Sequence, residues 1–276
     1  MDLVILDGFS ILFRNFFGMS SLYNSEGLPI GGAVGFLNTI FKVMKKYRPD
    51  YICIALDSGE KTWRHNLYSD YKSNRKKTPE DLIPQFPIIH EMCETLNLNI
   101  FKGGECEADD WIGSISKKYQ SNCSNVVVCS CDKDLMQLVE NNVFFVNPFK
   151  FQKMYEEDVV EKMGVSPNQI PDLFGLTGDA SDCIPGVPNV GAKTASSWLN
   201  EFKTLEGVID NLGHLKPLSR RGSLSGNIEQ AHLSKTLATL KLDLDLPEIH
   251  DLKTNYDKDL LLDLIRKYKM EKHIRF

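Results

Sequence analysis

The chain has 276 residues, of which 42% are hydrophobic and 25% are charged, a globular balance that excludes a disordered tail, a collagen and a small disulfide scaffold. Its formal net charge of −5 argues weakly against a protein that binds polyanions over its whole surface. The apolar runs are too short for a membrane span, no basic region precedes the first of them, and the seven cysteines lack paired zinc spacing, so we expect a reduced, cytoplasmic chain without a signal peptide.

The first part of the chain alternates strand-like apolar runs with helical patterns. Strands are predicted at 3–6, 51–56, 99–101, 126–129 and 143–146. Helices with apolar spacings of three and four are predicted between them, at 33–47, 81–97 and 107–119. This alternation indicates βαβ units and a mostly parallel sheet.

After about residue 155 the pattern is helical, without a convincing strand. Helices are predicted at 156–163, 168–177, 191–202, 204–211, 227–242 and 257–267. Residues 213–226 are rich in glycine, serine and basic residues, and we expect an exposed loop there. We therefore divide the chain into an α/β part, residues 1–155, and a helical region, residues 156–276.

Acidic residues follow several predicted strands or open predicted helices. They are Asp7, Asp57, Glu107, Asp109, Asp110, Asp132, Asp134, Asp179 and Asp182. The carboxyl ends of parallel strands meet at one edge of a sheet, so we expect Asp7, Asp57 and Asp132 to point into one crevice. A single acid after a strand is often only a helix cap or a turn residue. So many carboxylates together would repel one another, however, and oxygen ligands suit Mg²⁺ or Mn²⁺, two of which can cleave phosphodiesters.

Residues 61–77 combine basic and aromatic side chains, with six basic residues against a single acid, Asp70. Such a mixture suits single-stranded nucleic acid, because cations such as Arg64 can bind phosphates and rings such as Tyr71 can stack on bases. A solvated, mobile loop would have the same composition. The segment begins four residues after Asp57, which places it at the rim of the predicted acidic site.

Residues 184–202 are typical of a helix–hairpin–helix. The stretch from Gly186 to Gly191 cannot be helical throughout, and an apolar helix opens at Ala192. Such a turn exposes backbone N–H groups beside a helix N-terminus, which suits phosphate binding without base recognition, and Lys193 adds a charge. A purely structural turn is the alternative. A nucleotide-binding P-loop is disfavoured, because Ala192 separates the second glycine from the lysine.

Taken together, these motifs resemble the 5′-nuclease superfamily, which includes flap endonucleases, and above all the 5′→3′ exonuclease domain at the N-terminus of bacterial DNA polymerase I. The similarity is carried by LDG at 6–8, ALD at 55–57, YKSNR at 71–75, TPEDL at 78–82, ECEADD at 105–110, CDKDLMQLV at 131–139, GDASDCIPGVPNVGAKTA at 178–195 and LSKTLATLKLDLDL at 233–246. The resemblance implies a PIN-like α/β fold, a mostly parallel sheet flanked by helices. It also implies a basic helical arch at about residues 60–90 and a helix-hairpin-helix (H3TH) motif at 184–202 in the C-terminal helical region.

The resemblance further implies a metal-dependent, structure-specific 5′ nuclease of DNA replication and repair, both a 5′–3′ exonuclease and a flap endonuclease. Its partners would be branched or nicked double-stranded DNA with a single-stranded 5′ flap, and a DNA polymerase. The chain would act as a monomer associated with the bacterial nucleoid. Two alternatives remain: a catalytically idle DNA-binding module of the same fold, and a PIN-type endoribonuclease. The complete set of carboxylates argues against the first, and the basic segment and the hairpin argue against the second.

The resemblance also assigns roles to individual residues. Two Mg²⁺ ions, or Mn²⁺ in their place, would be bound by two sets of acids: Asp7, Asp57, Glu107, Asp109 and Asp110 for one ion, and Asp132, Asp134, Asp179 and Asp182 for the other. Lys72 and Arg75 match basic residues of the arch that act in catalysis. Phe13 and Arg14 match an aromatic–basic pair near the scissile phosphate, in which the ring stacks on the terminal base and the arginine grips phosphate.

The hairpin residues of the resemblance would hold the DNA duplex, together with a potassium ion on backbone carbonyls. They are Gly186, Val187, Val190, Gly191, Lys193 and Thr194. Asn189 stands where the family usually has glycine, and asparagine tolerates a positive φ, so the turn should survive the exchange.

Overall fold

The computed structural model describes residues 1–19 and 21–275. The strands are β1 (Asp2–Asp7), β2 (Tyr51–Ala55), β3 (Asn99–Phe101), β4 (Asn125–Cys129), β5 (Val143–Val146) and β6 (Lys153–Met154). They form one sheet in the order β3-β2-β1-β4-β5-β6, in which all neighbours pair in parallel except β5 and β6. The predicted parallel sheet is confirmed. The antiparallel β6 was not predicted, because a strand of two residues has no periodic signal.

The helices agree with the predicted spans to within a few residues, with three exceptions. They are α1 (Gly8–Gly18), α2 (Gly31–Tyr47), α3 (Trp63–Leu67), α4 (Gln85–Thr95), α5 (Ala108–Tyr119), α6 (Glu156–Met163), α7 (Ile170–Thr177), α8 (Ala192–Phe202), α9 (Leu205–Asp210), α10 (Leu218–Ser225), α11 (Ile228–Ala238) and α12 (Lys258–Lys267). Helix α1 was not predicted, and it follows β1 without a loop. The prediction of a loop at 213–226 is wrong for α10, because Leu224 is fully buried and tertiary packing outweighs the weak helix propensity of glycine and serine. No helix within the described ranges is long and apolar enough to cross a membrane.

The segment between β2 and α4, where the resemblance implies a helical arch, is only partly helical in this structure. Apart from α3 and a 3₁₀ turn at Glu80–Leu82, this segment consists of turns and coil, including all of residues 68–79. Between Lys72 and Thr78 the chain carries no apolar side chain. A helix there would have no face to bury, and isolated short helices are marginal in water.

Hydrophobic layers cover both faces of the sheet. One face packs against α5 and the helices α6–α11, through side chains such as Ile112, Val128 and Leu237. The other face packs against α1, α2, α4 and the C-terminal α12, through side chains such as Phe36 and Leu264. Parallel strands buried on both faces are continuous apolar runs, as β1 and β4 are. The α/β part and the helical region therefore share one core, and α12 returns to the far side of the sheet.

The strand order creates a switch point between β1 and β4. Strand β1 pairs with β2 on one side and with β4 on the other, so the connections leave these carboxyl ends in opposite directions. In open α/β sheets the crevice at such a point is the usual ligand site. Asp7 is the last residue of β1, and Ser130 and Asp132 follow β4. The fold thus brings predicted acids to this crevice.

Candidate active site

Asp7 ends β1 and is also the N-cap of α1. Its Oδ1 accepts a hydrogen bond from the backbone N–H of Ser10 at 3.2 Å, and its Oδ2 accepts one from the Ser130 hydroxyl at 2.5 Å. The second bond ties β1 to the chain that follows β4. Burial raises the pKa of Asp7 to about 7, opposed by the two hydrogen bonds and assisted by the charges of Asp57 and Asp132. The side chain is therefore both a helix cap and a buried carboxyl that faces two other acids.

Asp57 and Asp132 are fixed at the same edge by backbone N–H groups. Oδ1 of Asp57 accepts a hydrogen bond from the N–H of Ala108 at 2.9 Å, which ties the end of β2 to the start of α5. Oδ1 of Asp132 accepts one from the N–H of Asp134, also at 2.9 Å. Together with Asp7 and Asp109, these two acids line a cavity of about 1100 Å³. The structure therefore brings four of the predicted acids to one cavity.

Several of the predicted acids form no ion pair with any described residue. They are Asp7, Asp57, Asp109, Asp132 and Asp134. Burial raises the pKa of Asp109 well above its ordinary value, and the charges of Asp132 and Asp7 raise it further. Burial likewise raises the pKa of Asp134 to about 8, and its buried Oδ1 accepts no hydrogen bond from the described residues. Uncompensated carboxylates with an unsatisfied buried oxygen suit a divalent cation with oxygen ligands.

Asp179 and Asp182 lie beside this cluster and are partly neutralised. Burial raises the pKa of Asp132, and the charges of Asp182 and Asp179 contribute to that rise. Oδ2 of Asp179 accepts a hydrogen bond from the Ser181 hydroxyl at 2.7 Å, and the Lys133 ammonium lies 3.6 Å from its Oδ1. The Arg75 guanidinium lies 3.1 Å from Oδ1 of Asp182. These two acids continue the cluster along the loop after α7.

Glu107 is held by donors on both of its oxygens. Its Oε1 accepts a hydrogen bond from the Lys72 ammonium at 2.6 Å, and its Oε2 accepts bonds from the Tyr71 hydroxyl at 2.9 Å and from the Arg64 guanidinium at 3.1 Å. The Lys72 ammonium also lies 3.5 Å from Oδ2 of Asp182. Burial lowers the pKa of Lys72, but the charges of Glu107 and Asp182 outweigh it, and that pKa is raised. Lys72 is thus an internal cation between the two predicted ligand sets.

Asp110, which was predicted to be a metal ligand, does not line the cavity. Asp110 is fully buried, and its two oxygens accept hydrogen bonds from the Arg64 guanidinium at 2.7 and 2.9 Å. The same oxygens accept the backbone N–H groups of Glu107 and Lys241. Burial raises the pKa of Asp110, but the hydrogen bonds and charge of Arg64 outweigh it, and that pKa is lowered. Asp110 therefore belongs to a structural ion pair beneath the cavity.

Arg64 and Tyr71, which were predicted to contact DNA, are both buried. Arg64 is only 2% exposed, and besides its ion pairs it donates to the backbone carbonyls of Leu237 and Thr239. Tyr71 is 3% exposed, so its ring has no open face for a base, and its hydroxyl donates to Glu107. The composition of residues 61–77 gave no sign of which side chains turn inward.

No group of three or more His, Cys, Asp or Glu side chains among residues 1–19 and 21–275 is arranged to hold a metal ion as it stands. The hydrogen bonds explain why. Asp7 is turned to Ser130, and Glu107 and Asp182 are turned to Lys72 and Arg75. Binding of an ion by these acids would require them to exchange internal donors for the metal.

The cavity wall beyond the acids is aromatic and basic. Phe13 and Arg14 of α1 line it, as do Arg75 and Lys102. Arg14 is exposed and forms no ion pair with a described residue. Lys102 was missed at the sequence level, because one lysine after a short strand carries no motif. It reaches the cavity because β3 ends at the same edge of the sheet as β2.

The hairpin before α8 is built by residues that were predicted to bind DNA. Val187 and Val190 bury their side chains. The N–H of Gly186 donates to the Ser234 hydroxyl at 2.9 Å, and the N–H of Val187 donates to the carbonyl of Leu176 at 2.8 Å. These two N–H groups therefore anchor the turn to α7 and α11.

The tip of the hairpin is the part that stays accessible. Gly191 and Lys193 are exposed, and Thr194 is half-buried at the start of α8. The backbone N–H groups of Gly191 and Lys193 donate to no described residue. Asn189 has a φ of +65°, which confirms that asparagine occupies the turn position where glycine was expected.

Comparisons with known proteins agree on one family. Residues 2–164 match the model "5′-3′ exonuclease, N-terminal resolvase-like domain", and residues 165–259 match "5′-3′ exonuclease, C-terminal SAM fold". A 5′-3′ exonuclease of Aquifex aeolicus is 36% identical over 244 residues, which cover 88% of this chain and 83% of that protein. A DNA polymerase I of Caldicellulosiruptor bescii is 37% identical over 283 residues, which cover 100% of this chain. The chain spans 33% of the length of that polymerase.

Solved structures with the same fold come from bacteriophage T5. The T5 5′-exonuclease with bound zinc is 22% identical and has a TM-score of 0.78 over 97% of this chain and 98% of that one. The T5 D15 flap endonuclease, in a pseudo-enzyme–product complex with DNA and metal ions, is 24% identical and has a TM-score of 0.76 over 88% of this chain and 89% of that one. The predicted fold, an α/β domain followed by a helical region, is confirmed.

Proposed function

The chain belongs to the 5′-3′ exonuclease family, and we propose that it is a metal-dependent, structure-specific nuclease. It would hydrolyse phosphodiesters near the 5′ ends of flaps, nicks and RNA primers in DNA. The observation that carries this proposal is the cluster of uncompensated acids in a cavity whose other wall is aromatic and basic. Carboxylates bind divalent cations, and rings with cations bind a single strand.

We propose that the two parts of the chain have different roles in binding the metal ions and the DNA. Residues 1–155 would carry most of the metal ligands and the single-strand contacts. Residues 156–276 would add Asp179 and Asp182 and hold the duplex through the hairpin at 184–202. Because curated relatives join the matched region to a polymerase, we also propose a DNA polymerase as the enzyme that works on the same DNA ends. The nuclease itself would act as a monomer.

The residues that fit two divalent ions, Mg²⁺ or Mn²⁺, are the predicted acids without Asp110. One set is Asp7, Asp57, Glu107 and Asp109, and the other is Asp132, Asp134, Asp179 and Asp182. Divalent ions supply a water molecule of lowered pKa and stabilise the negative charge of the transition state. Asp110 keeps its Arg64 ion pair and so supports the site from beneath.

The cations of the chain would hold the substrate phosphate. Lys72 and Arg75 line the cavity next to the acids that they now neutralise. If those acids held metal ions instead, the ammonium and the guanidinium would be free to contact the scissile phosphate. Arg14 would grip a neighbouring phosphate, and Phe13 would stack on the terminal base of a short strand or, in a longer flap, on the base at that same position. Such contacts orient a flexible strand and strengthen as negative charge develops on the phosphate.

The hairpin tip would hold the duplex without reading its sequence. The free N–H groups of Gly191 and Lys193 at the start of α8, with the Lys193 charge, suit a backbone phosphate. A potassium ion would bind backbone carbonyls of the same turn. The carbonyls of Gly186 and Val187 each accept one hydrogen bond, from the Gln230 amide and the Val190 N–H, and each keeps a second lone pair for an ion.

Cleavage of a labelled 5′-flap DNA tests this function. We expect the wild type to cut the flap with Mg²⁺ and not with EDTA. The double variant Asp132→Ala/Asp134→Ala should lose cleavage but still bind the flap, because binding rests on the cations and the hairpin. Glu161→Ala, an exposed acid on α6, is the matched control and should cleave normally. Residual cleavage by the double variant above a few per cent would contradict the metal assignment.

The same experiment separates the two alternatives. A catalytically idle module would bind the flap without cutting it, under any metal. A PIN-type endoribonuclease would cut single-stranded RNA and leave the DNA flap intact.

A further inference from the structure

Helix α1 presents a row of phenylalanines to the cavity. Phe9, Phe13 and Phe17 are four residues apart, so they lie on one face of the helix, and all three line the cavity. The ring centroids of Phe9 and Phe13 are 6.4 Å apart, and those of Phe13 and Phe17 are 6.5 Å apart. At the inner end, Phe9 packs edge-on against Phe86, with the centroids 5.3 Å apart. The row therefore begins in packed structure and ends in open space.

Phe17 is 67% exposed, more than any other large hydrophobic side chain in the described part of the chain. The adjacent Phe16 is 4% exposed and supplies the packing of this turn against the core. A scattered exposed hydrophobic residue needs no explanation by itself. Phe17, however, lines the same cavity as the acids and lies next to Arg14, which is exposed and forms no ion pair with a described residue. An exposed ring beside a cation is the arrangement that binds single-stranded nucleic acid, with the base on the ring and the phosphate on the cation.

The row points away from the acids. Asp7 is the N-cap of α1, and at about 1.5 Å rise per residue Phe13 lies about 9 Å and Phe17 about 15 Å along the axis from it. The 6.5 Å between the two rings is about twice the ~3.4 Å rise per nucleotide of a stacked strand, so a strand extended to about twice that rise can place two successive bases on the two rings. Arg14 stands between them in the sequence and can hold the phosphate that joins the two nucleotides.

We infer that Phe17 is a second stacking platform for the single-stranded flap, one nucleotide farther from the acidic centre than the base on Phe13. This inference rests on the proposed function. Stacking on a ring tolerates every base, so Phe17 adds grip along the flap without sequence preference. Loss of one stacked base typically weakens binding about 5- to 150-fold.

Binding of flap DNA with single abasic sites tests this role. Affinities are measured in EDTA, where no cleavage occurs, for flaps with one abasic position moved along the strand. Phe17→Ala should weaken binding of the intact flap about tenfold, and should have no effect once the abasic site occupies the position that Phe17 contacts. Phe17→Trp should restore the affinity. For Phe13→Ala, the abasic position at which the substitution has no effect should lie one nucleotide nearer to the duplex.

Phe149→Ala is the matched control, because Phe149 is 40% exposed and does not line the cavity. It should bind every flap as the wild type does. Unchanged flap affinity of Phe17→Ala would overturn the inference. The inference would also be overturned if Phe17→Ala lost the same affinity for abasic flaps as for intact flaps, or lost affinity for a duplex without a flap. Either result would show that the Phe17 ring has only a structural role. If Phe13 and Phe17 responded to the same abasic position, the spacing of one nucleotide would be wrong.

Failure of the proposed function has a different signature. The wild type itself would then bind flap DNA no better than a flush duplex, before any variant is tested, and the inference would fall with it. The thermal unfolding midpoint of Phe17→Ala should match that of the wild type, because the exposed ring adds little to the core.

Discussion

The ammonium nitrogen of Lys72 lies 2.6 Å from Oε1 of Glu107, inside the acidic site. The backbone of Lys72 has a φ of +55°, a left-handed conformation that side chains rarely adopt, and its N–H donates to the carbonyl of Asp182 at 2.9 Å. Such strain persists where the surrounding structure enforces it. The lysine is thus fixed to the loop of Asp179 and Asp182, and it neutralises Glu107 where a bound cation would otherwise do so.

Replacement of Lys72 by methionine should tighten metal binding and slow cleavage. Without the ammonium, Oε1 of Glu107 loses its cationic partner and only Oε2 stays paired, with Arg64, so Mn²⁺ should bind severalfold more tightly. Cleavage should slow more than about tenfold, because a cation at the scissile phosphate acts most strongly in the transition state. Titration of Mn²⁺ into the free protein and single-turnover rates at saturating enzyme measure the two effects.

The control is Lys76→Met, an exposed lysine of the same segment, which should leave both quantities nearly unchanged. Weaker Mn²⁺ binding by Lys72→Met would show that the lysine supports the ligand set instead of competing with the ion.

Metal binding should weaken as the pH falls from 8 to 6. The pKa of Asp7 is raised to about 7 and that of Asp134 to about 8, so these carboxyls increasingly hold protons over this range and an ion must displace them. Each displaced proton costs about tenfold in affinity per pH unit below its pKa. Calorimetry of Mn²⁺ binding in two buffers of different ionisation enthalpy measures the protons released. An affinity independent of pH would contradict the raised pKa values.

The metal-free protein should show the opposite pH trend in its stability. A carboxyl with a raised pKa binds its proton more tightly in the folded state than in the unfolded state, so the free energy of unfolding decreases as the pH rises from about 4 through the folded pKa. We therefore expect a higher unfolding temperature at pH 6 than at pH 8 in EDTA. Saturating Mn²⁺ should reduce this difference, because the ion replaces the protons.

The strands and the edge with the acids could be predicted because their signals are local. Strands β1 and β4 are continuous apolar runs, and Asp7 follows directly from such a run. The direction of Asp110 could not be predicted. Asp109 and Asp110 are neighbours in one motif, yet successive helix positions differ by about 100°, so one lines the cavity and the other faces Arg64.

The place of Arg64 depends on contacts that no local pattern contains. Its guanidinium bonds to the carbonyls of Leu237 and Thr239, which lie more than 170 residues away along the chain. The sequence of a basic segment does not distinguish a cation that stays exposed from one that is buried. Arg64 is buried because backbone carbonyls at the end of α11 accept its hydrogen bonds. For the same reason, the sequence did not show that the side chains of Val187 and Val190 are buried in the core, since this depends on the packing of α7 and α11 around the hairpin.

Removal of the buried guanidinium should destabilise the protein. Arg64→Leu would leave Asp110 charged and unpaired in the core, at a cost of about 3–5 kcal/mol in the free energy of unfolding. The double variant Arg64→Leu/Asp110→Leu should recover much of that loss, because no isolated charge remains. Denaturant unfolding measures both. Arg266→Leu, which breaks an exposed pair with Asp263, is the control and should cost less than about 1 kcal/mol.

The hairpin tip should contribute to the salt dependence of duplex binding. If Gly191 and Lys193 hold the duplex through backbone phosphate, Lys193→Ala removes about one phosphate contact, and the slope of log K against log salt should decrease in magnitude by about one unit. Affinity should fall equally for flaps of any sequence, and single-stranded DNA should be almost unaffected. Lys117→Ala is the control, since Lys117 lies at the end of α5 far from the acids. If Lys193→Ala weakened the binding of duplex and of single-stranded DNA equally, the assignment of the hairpin to the duplex would be wrong.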